Sequence, residues 1–123
     1  MDIERGWFYL ADLNPKRGTE PGKTRPVLVV QTDLLNSQGH PSTVIIPLTT
    51  NVQDNAWPLR VRIPAGSPGF STDSDLMIDQ IRAIDNQRLY RQNTSKLIKK
   101  IARIEPKSLA KVEDCLKKLL DLR

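Results

Sequence analysis

Apolar and polar residues follow one another in short blocks along most of the chain, a pattern typical of β-strands separated by turns. Apolar runs at Trp7–Leu13, Arg25–Gln31 and Thr43–Leu48 predict three strands rich in aromatic or β-branched residues. Strict alternation in Leu59–Ile63 predicts a fourth strand, with its apolar side chains on one face and its two arginines on the other. The stretch Asp75–Asp85 contains Leu, Met and Ile without Gly or Pro, and it predicts one or two further short strands.

A different spacing marks the C-terminal end of the chain. Pro106 suits the first position of a helix, and apolar residues then recur at intervals of three and four, at Leu109, Val112, Leu116 and Leu119. This pattern predicts a helix from about Pro106 to Leu120. The preceding segment 96–104 is left open between strand and helix, although its spacing alone favours a helix.

The succession of short strands followed by one helix predicts a mainly β fold, a small barrel with an appended helix. It excludes an alternating βαβ series. A length of 123 residues suits a single domain spanning 1–123. Residues Met1–Arg5 show neither a basic leader nor the apolar centre of a signal peptide, and no apolar run approaches the roughly 20 residues of a membrane span. We therefore expect a cytoplasmic protein that does not enter a membrane.

Charge is distributed unevenly along the chain. The net charge is +5, yet residues 88–123 hold eleven basic and four acidic groups, whereas residues 1–87 hold eight and ten. Such a surplus suits a polyanionic partner, either RNA or an acidic protein, although a solvated face is the ordinary explanation. With one cysteine, Cys115, and one histidine, His40, the chain lacks the clusters from which zinc sites are built. We therefore expect its chemistry to need no metal or other cofactor.

Two polar residues stand at the mouths of predicted strands. Arg25 follows an eleven-residue loop, 14–24, rich in Pro, Gly and Asn, and loops of this length are usually functional. Thr49 follows the third strand directly. Each also has an ordinary structural role, since such an arginine can pair with a carboxylate and such a threonine can cap a turn.

Four other side chains have a functional and a structural interpretation. Trp57 could stack on a nucleobase, but packing is the commoner role of a tryptophan at the edge of a barrel. Arg60 and Arg62 share one strand face and could contact phosphates, but we expect a solvated outer face. His40 lies in a Gly-Pro loop with no evident partner, and we expect it to be exposed.

The order of several motifs resembles that of the MazF/PemK toxins. The resemblance runs through Arg5-Gly6-Trp7, Ala11 to Pro15, Gly18-Thr19-Glu20 and Gly22 to Val30, and it continues in Pro47 to Thr50 and Asp79 to Asp85. These strings follow one another across nearly the whole chain, which makes a chance agreement improbable.

The resemblance implies a homodimeric SH3-like barrel of the MazF/CcdB type that cleaves single-stranded RNA without a metal. Cleavage by the substrate 2′-hydroxyl would leave a 2′,3′-cyclic phosphate and a 5′-hydroxyl, would stop translation and growth, and would be silenced by an acidic antitoxin. By the same resemblance Arg25 and Thr49 are the catalytic pair. The substrate-binding residues it implies are Glu20, Lys23, Thr24, Pro26, Thr50, Asp79 and Gln80.

The chain also departs from some of these toxins. Thr24 stands where some have a histidine, and Met77 stands where some have an arginine that pairs with the Asp of the Asp-Gln block. Arg25 is a poor general base, because a guanidinium keeps its proton at neutral pH, so it suits a phosphate clamp or an acid. Glu20 is chemically able to accept a proton, but the general base stays unassigned.

Two other functions remain open at this point. A CcdB-like gyrase poison would use the same barrel, but the chain ends Leu119-Leu120-Asp121-Leu122-Arg123 rather than in the Trp-Gly-Ile segment of those proteins. An inactive binding module for nucleic acid or an acidic partner would also suit the basic C-terminal third.

Overall fold

The computed structural model describes residues 2–123, and its centre is one antiparallel sheet. Within this range the strands are β1 (Trp7–Asp12), β2 (Thr24–Val29), β3 (Ser42–Thr49), β4 (Arg60–Ile63), β5 (Ser74–Met77), β6 (Arg82–Asp85) and β7 (Lys100–Arg103). The helices are α1 (Asp33–Asn36) and α2 (Pro106–Leu119), with 3₁₀ turns at Ile78–Gln80 and Asn86–Leu89.

The sheet has the strand order β4-β5-β3-β2-β1-β7, and β6 pairs separately with β3. It curls into a half-barrel, so both of its faces bury apolar side chains. One face packs against α2 through Val112 and Cys115, while the other encloses Tyr9, Val27 and Ile45. The predicted fold class, mainly β with a C-terminal helix, is confirmed.

Segment 96–104 contains a strand, and the helical period of its apolar residues was misleading. β7 pairs antiparallel with β1, and the Lys99 carbonyl accepts a hydrogen bond from the Leu10 amide at 3.0 Å. The Ile104 amide closes the same edge by donating to the Gly6 carbonyl at 2.8 Å. The free edge of β1 therefore decides the structure of this segment, because unpaired backbone groups of a buried strand are costly.

Apart from one short helix, the remaining elements agree with the sequence-based expectations. The short helix α1, which the sequence did not predict, follows β2, and at its start the Thr32 hydroxyl accepts a hydrogen bond from the Leu34 amide at 3.2 Å. The stretch expected to hold one or two strands contains two, β5 and β6, separated by a 3₁₀ turn. Helix α2 ends at Leu119, within one residue of the predicted end.

The register of β2 and β3 brings two strand ends together. Val27 lies opposite Pro47, and Leu28 lies opposite Ile46. Continued by two residues, this antiparallel register places Arg25 beside Thr49, with both side chains on the same face of the sheet. The end of the sheet where β2 begins and β3 ends is therefore the place to look for a functional site.

Candidate active site

A cavity of about 200 Å³ opens where β2 begins and β3 ends. Six of the nine residues implied by the resemblance line it, together with Leu48 and Ser74, which the sequence did not single out. The six are Lys23, Thr24, Arg25, Pro26, Thr49 and Thr50. Ser74 comes from the start of β5, and nothing in the local sequence signals its presence here.

The Arg25 guanidinium is held by backbone carbonyls rather than by a carboxylate. Its Nε donates to the Gly22 carbonyl and its Nη1 donates to the Leu48 carbonyl, both at 3.0 Å. Among residues 2–123 no acidic side chain pairs with it, so the expected structural alternative, an ion pair, is not what holds Arg25. Its positive charge is therefore left uncompensated beside the cavity, and partial burial lowers the pKa of the guanidinium from its usual value.

Thr49 lies at the last position of β3 and is partly buried. Its Oγ1 accepts a hydrogen bond from the Asn51 amide at 3.1 Å, which is the turn-capping role expected of a threonine at a strand end. A hydroxyl can donate as well as accept, and in the part of the chain that the structure describes Thr49 donates no hydrogen bond. The hydroxyl hydrogen is therefore available to a ligand in the cavity.

The loop before β2 is fastened at its two ends. The Asn14 Oδ1 accepts from the Lys23 amide at 2.6 Å, and the Lys23 carbonyl accepts from the Leu13 amide at 3.0 Å. Gly22, whose carbonyl holds Arg25, packs so closely that an added Cβ would lie 2.7 Å from the Lys16 Cβ and 3.1 Å from its backbone. A residue without a side chain is therefore required where the loop crosses itself.

Three residues implied by the resemblance do not line this cavity. The Glu20 carboxylate lies 3.4 Å from the Arg82 guanidinium, which ties the loop to β6. Asp79 and Gln80 belong to the 3₁₀ turn between β5 and β6, and both reach solvent at least partly. A role for these three would have to involve parts of a ligand outside the cavity.

Two further cavities adjoin the first one. A cavity of about 360 Å³ shares Thr24 with it and is bordered by Arg88 and Arg91. Another of about 250 Å³ shares Pro26, Thr50 and Ser74 and is bordered by Lys99. Part of the basic surplus of the C-terminal third therefore borders two depressions that share lining residues with the cavity at Arg25.

The expectation of a solvated outer face for Arg60 and Arg62 is wrong. Both arginines pair with Asp75, a carboxylate whose side chain is only 1% exposed, at 3.2 and 2.6 Å respectively. Trp57 was expected to pack, but it is 64% exposed, so that expectation is wrong as well. His40 is exposed, as expected.

The described residues hold no group of three or more His, Cys, Asp or Glu side chains arranged to bind a metal ion. Cys115, the one cysteine, is buried on the inner side of α2, and burial raises the pKa of its thiol. Among residues 2–123 there is also no helix of sufficient length and apolarity to cross a membrane.

Comparison of the sequence with known proteins gives consistent matches. A family model described as PemK-like, MazF-like toxin of type II toxin-antitoxin system matches residues 4–120. The Bacillus subtilis endoribonuclease EndoA is 37% identical over 116 residues, which cover 94% of this chain and 92% of EndoA. The Mycobacterium tuberculosis endoribonuclease MazF9 is 32% identical over 124 residues, which cover 98% of each chain.

Solved structures share the same fold. MazF of Deinococcus radiodurans superposes with a TM-score of 0.74 at 24% identity, covering 97% of this chain and 96% of that one. The MazE-MazF structure (Form-III) from the same organism gives a TM-score of 0.72 at 23% identity and covers 98% of each chain. At these identities the likeness establishes the architecture.

Proposed function

Because the chain belongs to the PemK-like, MazF-like toxins of type II toxin-antitoxin systems, we propose that it is an endoribonuclease that cleaves single-stranded RNA at specific sequences. The observation that carries the proposal is the cavity lined by both Thr49 and Arg25, whose guanidinium has no acidic partner among residues 2–123. A cation and a hydroxyl donor fixed at two strand ends form a receptor for a phosphodiester.

The proposed reaction uses the substrate's own 2′-hydroxyl as the nucleophile. The 2′-oxygen attacks phosphorus, the bond from phosphorus to the 5′-oxygen breaks, and a 2′,3′-cyclic phosphate and a 5′-hydroxyl result. One proton leaves the 2′-hydroxyl and one joins the 5′-oxygen. No metal takes part in this scheme, because positioning and charge stabilisation supply the catalysis.

Arg25 acts in this scheme as a phosphate clamp. The carbonyls of Gly22 and Leu48 occupy two of its five N–H groups, which leaves three to bind the phosphate oxygens as negative charge builds on them. Since burial also lowers the pKa of the guanidinium, Arg25 is better suited to donate a proton to the leaving oxygen than to accept one. Thr49 donates its free hydrogen to the same phosphate, and the general base is left unassigned.

The cavities on either side of Arg25 provide the path for the RNA strand. Lys23, Thr24, Pro26 and Thr50 contact the nucleotides beside the scissile phosphate, because they line the same cavity. Glu20, Asp79 and Gln80 lie outside it and read more distant bases. A strand passing Arg88 and Lys99 neutralises its phosphates there, which predicts that affinity falls with rising salt.

The proposal includes the biological setting of the family. The chain acts as a homodimer in the cytoplasm, where cleavage of mRNA stops translation and growth. A cognate acidic antitoxin silences it by covering the basic groove, and the positive surplus of residues 88–123 favours such a partner.

The test is cleavage of a defined single-stranded RNA by the purified protein in the presence of excess chelator. We expect the wild type to produce discrete fragments and Arg25→Ala to cleave the RNA much more slowly. A strict requirement for a divalent metal, or equal activity in the variant, would refute the proposed function as stated. Trapped gyrase–DNA breaks with intact RNA would instead revive the CcdB-like alternative.

A further inference from the structure

A continuous chain of hydrogen bonds runs from a buried carboxylate to the Thr49 hydroxyl. The Thr49 Oγ1 accepts from the Asn51 amide at 3.1 Å, and the Asn51 carbonyl accepts from the Arg60 Nη1 at 3.2 Å. The same Nη1 donates to Asp75 Oδ2, also at 3.2 Å. Three hydrogen bonds and the backbone of Asn51 therefore connect Asp75 in β5 with the hydroxyl of Thr49, a residue that lines the cavity.

Asp75 is placed to fix the segment that follows Thr49. It lies directly opposite Thr49 in the register of β3 and β5. Its Oδ2 also accepts from the Gln53 amide at 2.8 Å, and its Oδ1 accepts from Arg62 Nε at 2.6 Å. One buried carboxylate thus binds the backbone two residues beyond Asn51 and both arginines of β4.

The arginines of β4 differ in one respect that matters here. Both bind Asp75, but only Arg60 reaches the backbone of the turn after Thr49. Arg62 instead extends to Asp54, a surface carboxylate whose side chain is 83% exposed. Arg60 is the more enclosed of the two, with 16% of its side chain exposed against 32% for Arg62.

We propose that Arg60, held by Asp75, is a positioning residue that fixes the Thr49–Asn51 turn and so keeps the Thr49 hydroxyl hydrogen directed at the scissile phosphate. When the Asn51 amide occupies a lone pair of Oγ1, the hydrogen points away from the turn. Without Arg60 the Asn51 carbonyl loses its anchor and the hydroxyl becomes free to rotate. The inference rests on the proposed ribonuclease function, because it assigns Arg60 a part in that reaction.

A substitution of Asp75 would test the idea poorly, since it would leave two arginines without their buried partner and endanger folding. Arg60→Ala is the better variant, because Asp75 keeps Arg62 and the Gln53 amide. Arg62→Ala is a matched control, because it also removes one arginine from Asp75 but leaves the Asn51 anchor intact. Circular dichroism and thermal melts establish that both variants fold.

The readout is the single-turnover cleavage rate at saturating enzyme, together with the enzyme concentration that gives half of the maximal rate. We expect Arg60→Ala to lower the maximal rate by about 10- to 100-fold, a loss typical of misplaced catalytic groups, with little change in half-saturation. Arg62→Ala should remain within about threefold of the wild type, because its bonds do not reach the turn. In a Thr49→Ala background, adding Arg60→Ala should change the rate by less than about twofold.

Three results would overturn the inference in distinguishable ways. Equal rates for the two arginine variants would show that the Asn51 anchor is irrelevant, while the ribonuclease function stands. If Arg60→Ala lowers the cleavage rate as much in the Thr49→Ala background as in the wild type, Arg60 acts on the RNA directly rather than through Thr49. A wild type without cleavage would remove the proposed function and this inference together.

Discussion

Replacing Arg25 by lysine keeps the positive charge and removes the planar fork of donors, so it separates the two properties of that residue. In the wild type, Nε and Nη1 hold the guanidinium against the Gly22 and Leu48 carbonyls, both at 3.0 Å, and three N–H groups are left for a phosphate. A lysine has three donors on one nitrogen and cannot bind both carbonyls and two phosphate oxygens at once.

The expected losses follow from this geometry. Losing one donor to a transition-state oxyanion costs about 3 to 4 kcal/mol, or about 10²- to 10³-fold in rate. We expect Arg25→Lys to lie at the lower end of that range and Arg25→Ala at or above the upper end. Both variants leave the Gly22 and Leu48 carbonyls without this donor, which lowers the free energy of unfolding by about 1 to 3 kcal/mol.

The assay is single-turnover cleavage of a defined RNA together with urea unfolding of each variant. Arg5→Ala is a suitable control, because Arg5 lies near the end of β2 opposite to Arg25. The change removes a hydrogen bond to the Val30 carbonyl and the ion pair with Glu113 of α2. It should lose stability without losing activity. Arg25→Lys within about threefold of the wild type would refute the need for a fork, and an unfolded Arg25→Ala would show that Arg25 is mainly structural.

Three other changes test the roles of Thr49, Gly22 and Trp57. Thr49→Val should lower the cleavage rate about 100-fold while Thr49→Ser retains most of it, because only serine keeps a hydroxyl; equal rates would remove Thr49 from the chemistry. Gly22→Ala should lower the cleavage rate about tenfold or more with a smaller effect on the thermal midpoint, because the added Cβ would lie 2.7 Å from the Lys16 Cβ and shift the carbonyl that holds Arg25. Unchanged cleavage would show that the loop adapts without moving Arg25. Trp57→Ala should lower the free energy of unfolding by less than about 1 kcal/mol in a denaturant titration, since the side chain is 64% exposed, and a larger loss would restore the packing role first expected for it.

The placement of Arg25 and Thr49 could be anticipated from the sequence because both follow signals that depend on nearby residues. Pro26 confines the start of β2, and the apolar run of β3 gives way to polar residues after Leu48. The family resemblance is confirmed by the match over residues 4–120, and it explains why the two strand ends were considered together. The catalytic roles of these residues stay predictions.

What the sequence could not show are contacts between distant segments. Segment 96–104 has the spacing of a helix, yet β7 forms because the edge of β1 needs partners. The alternation around Arg60 and Arg62 correctly separated the two faces of β4. It could not show that the polar face meets Asp75 in the neighbouring strand β5. Ser74 and the Leu48 carbonyl join the cavity through tertiary structure alone.

We propose that the site at Arg25 and Thr49 cleaves RNA through the substrate's own 2′-hydroxyl. The most direct measurement is end-group analysis of the fragments from a mapped RNA site, in chelator, beside the same RNA with a single 2′-deoxy nucleotide at the cut. We expect a 2′,3′-cyclic phosphate, a 5′-hydroxyl and no cleavage of the 2′-deoxy RNA. Cleavage of the 2′-deoxy RNA at the same bond, or fragments with 5′-phosphate ends, would contradict it.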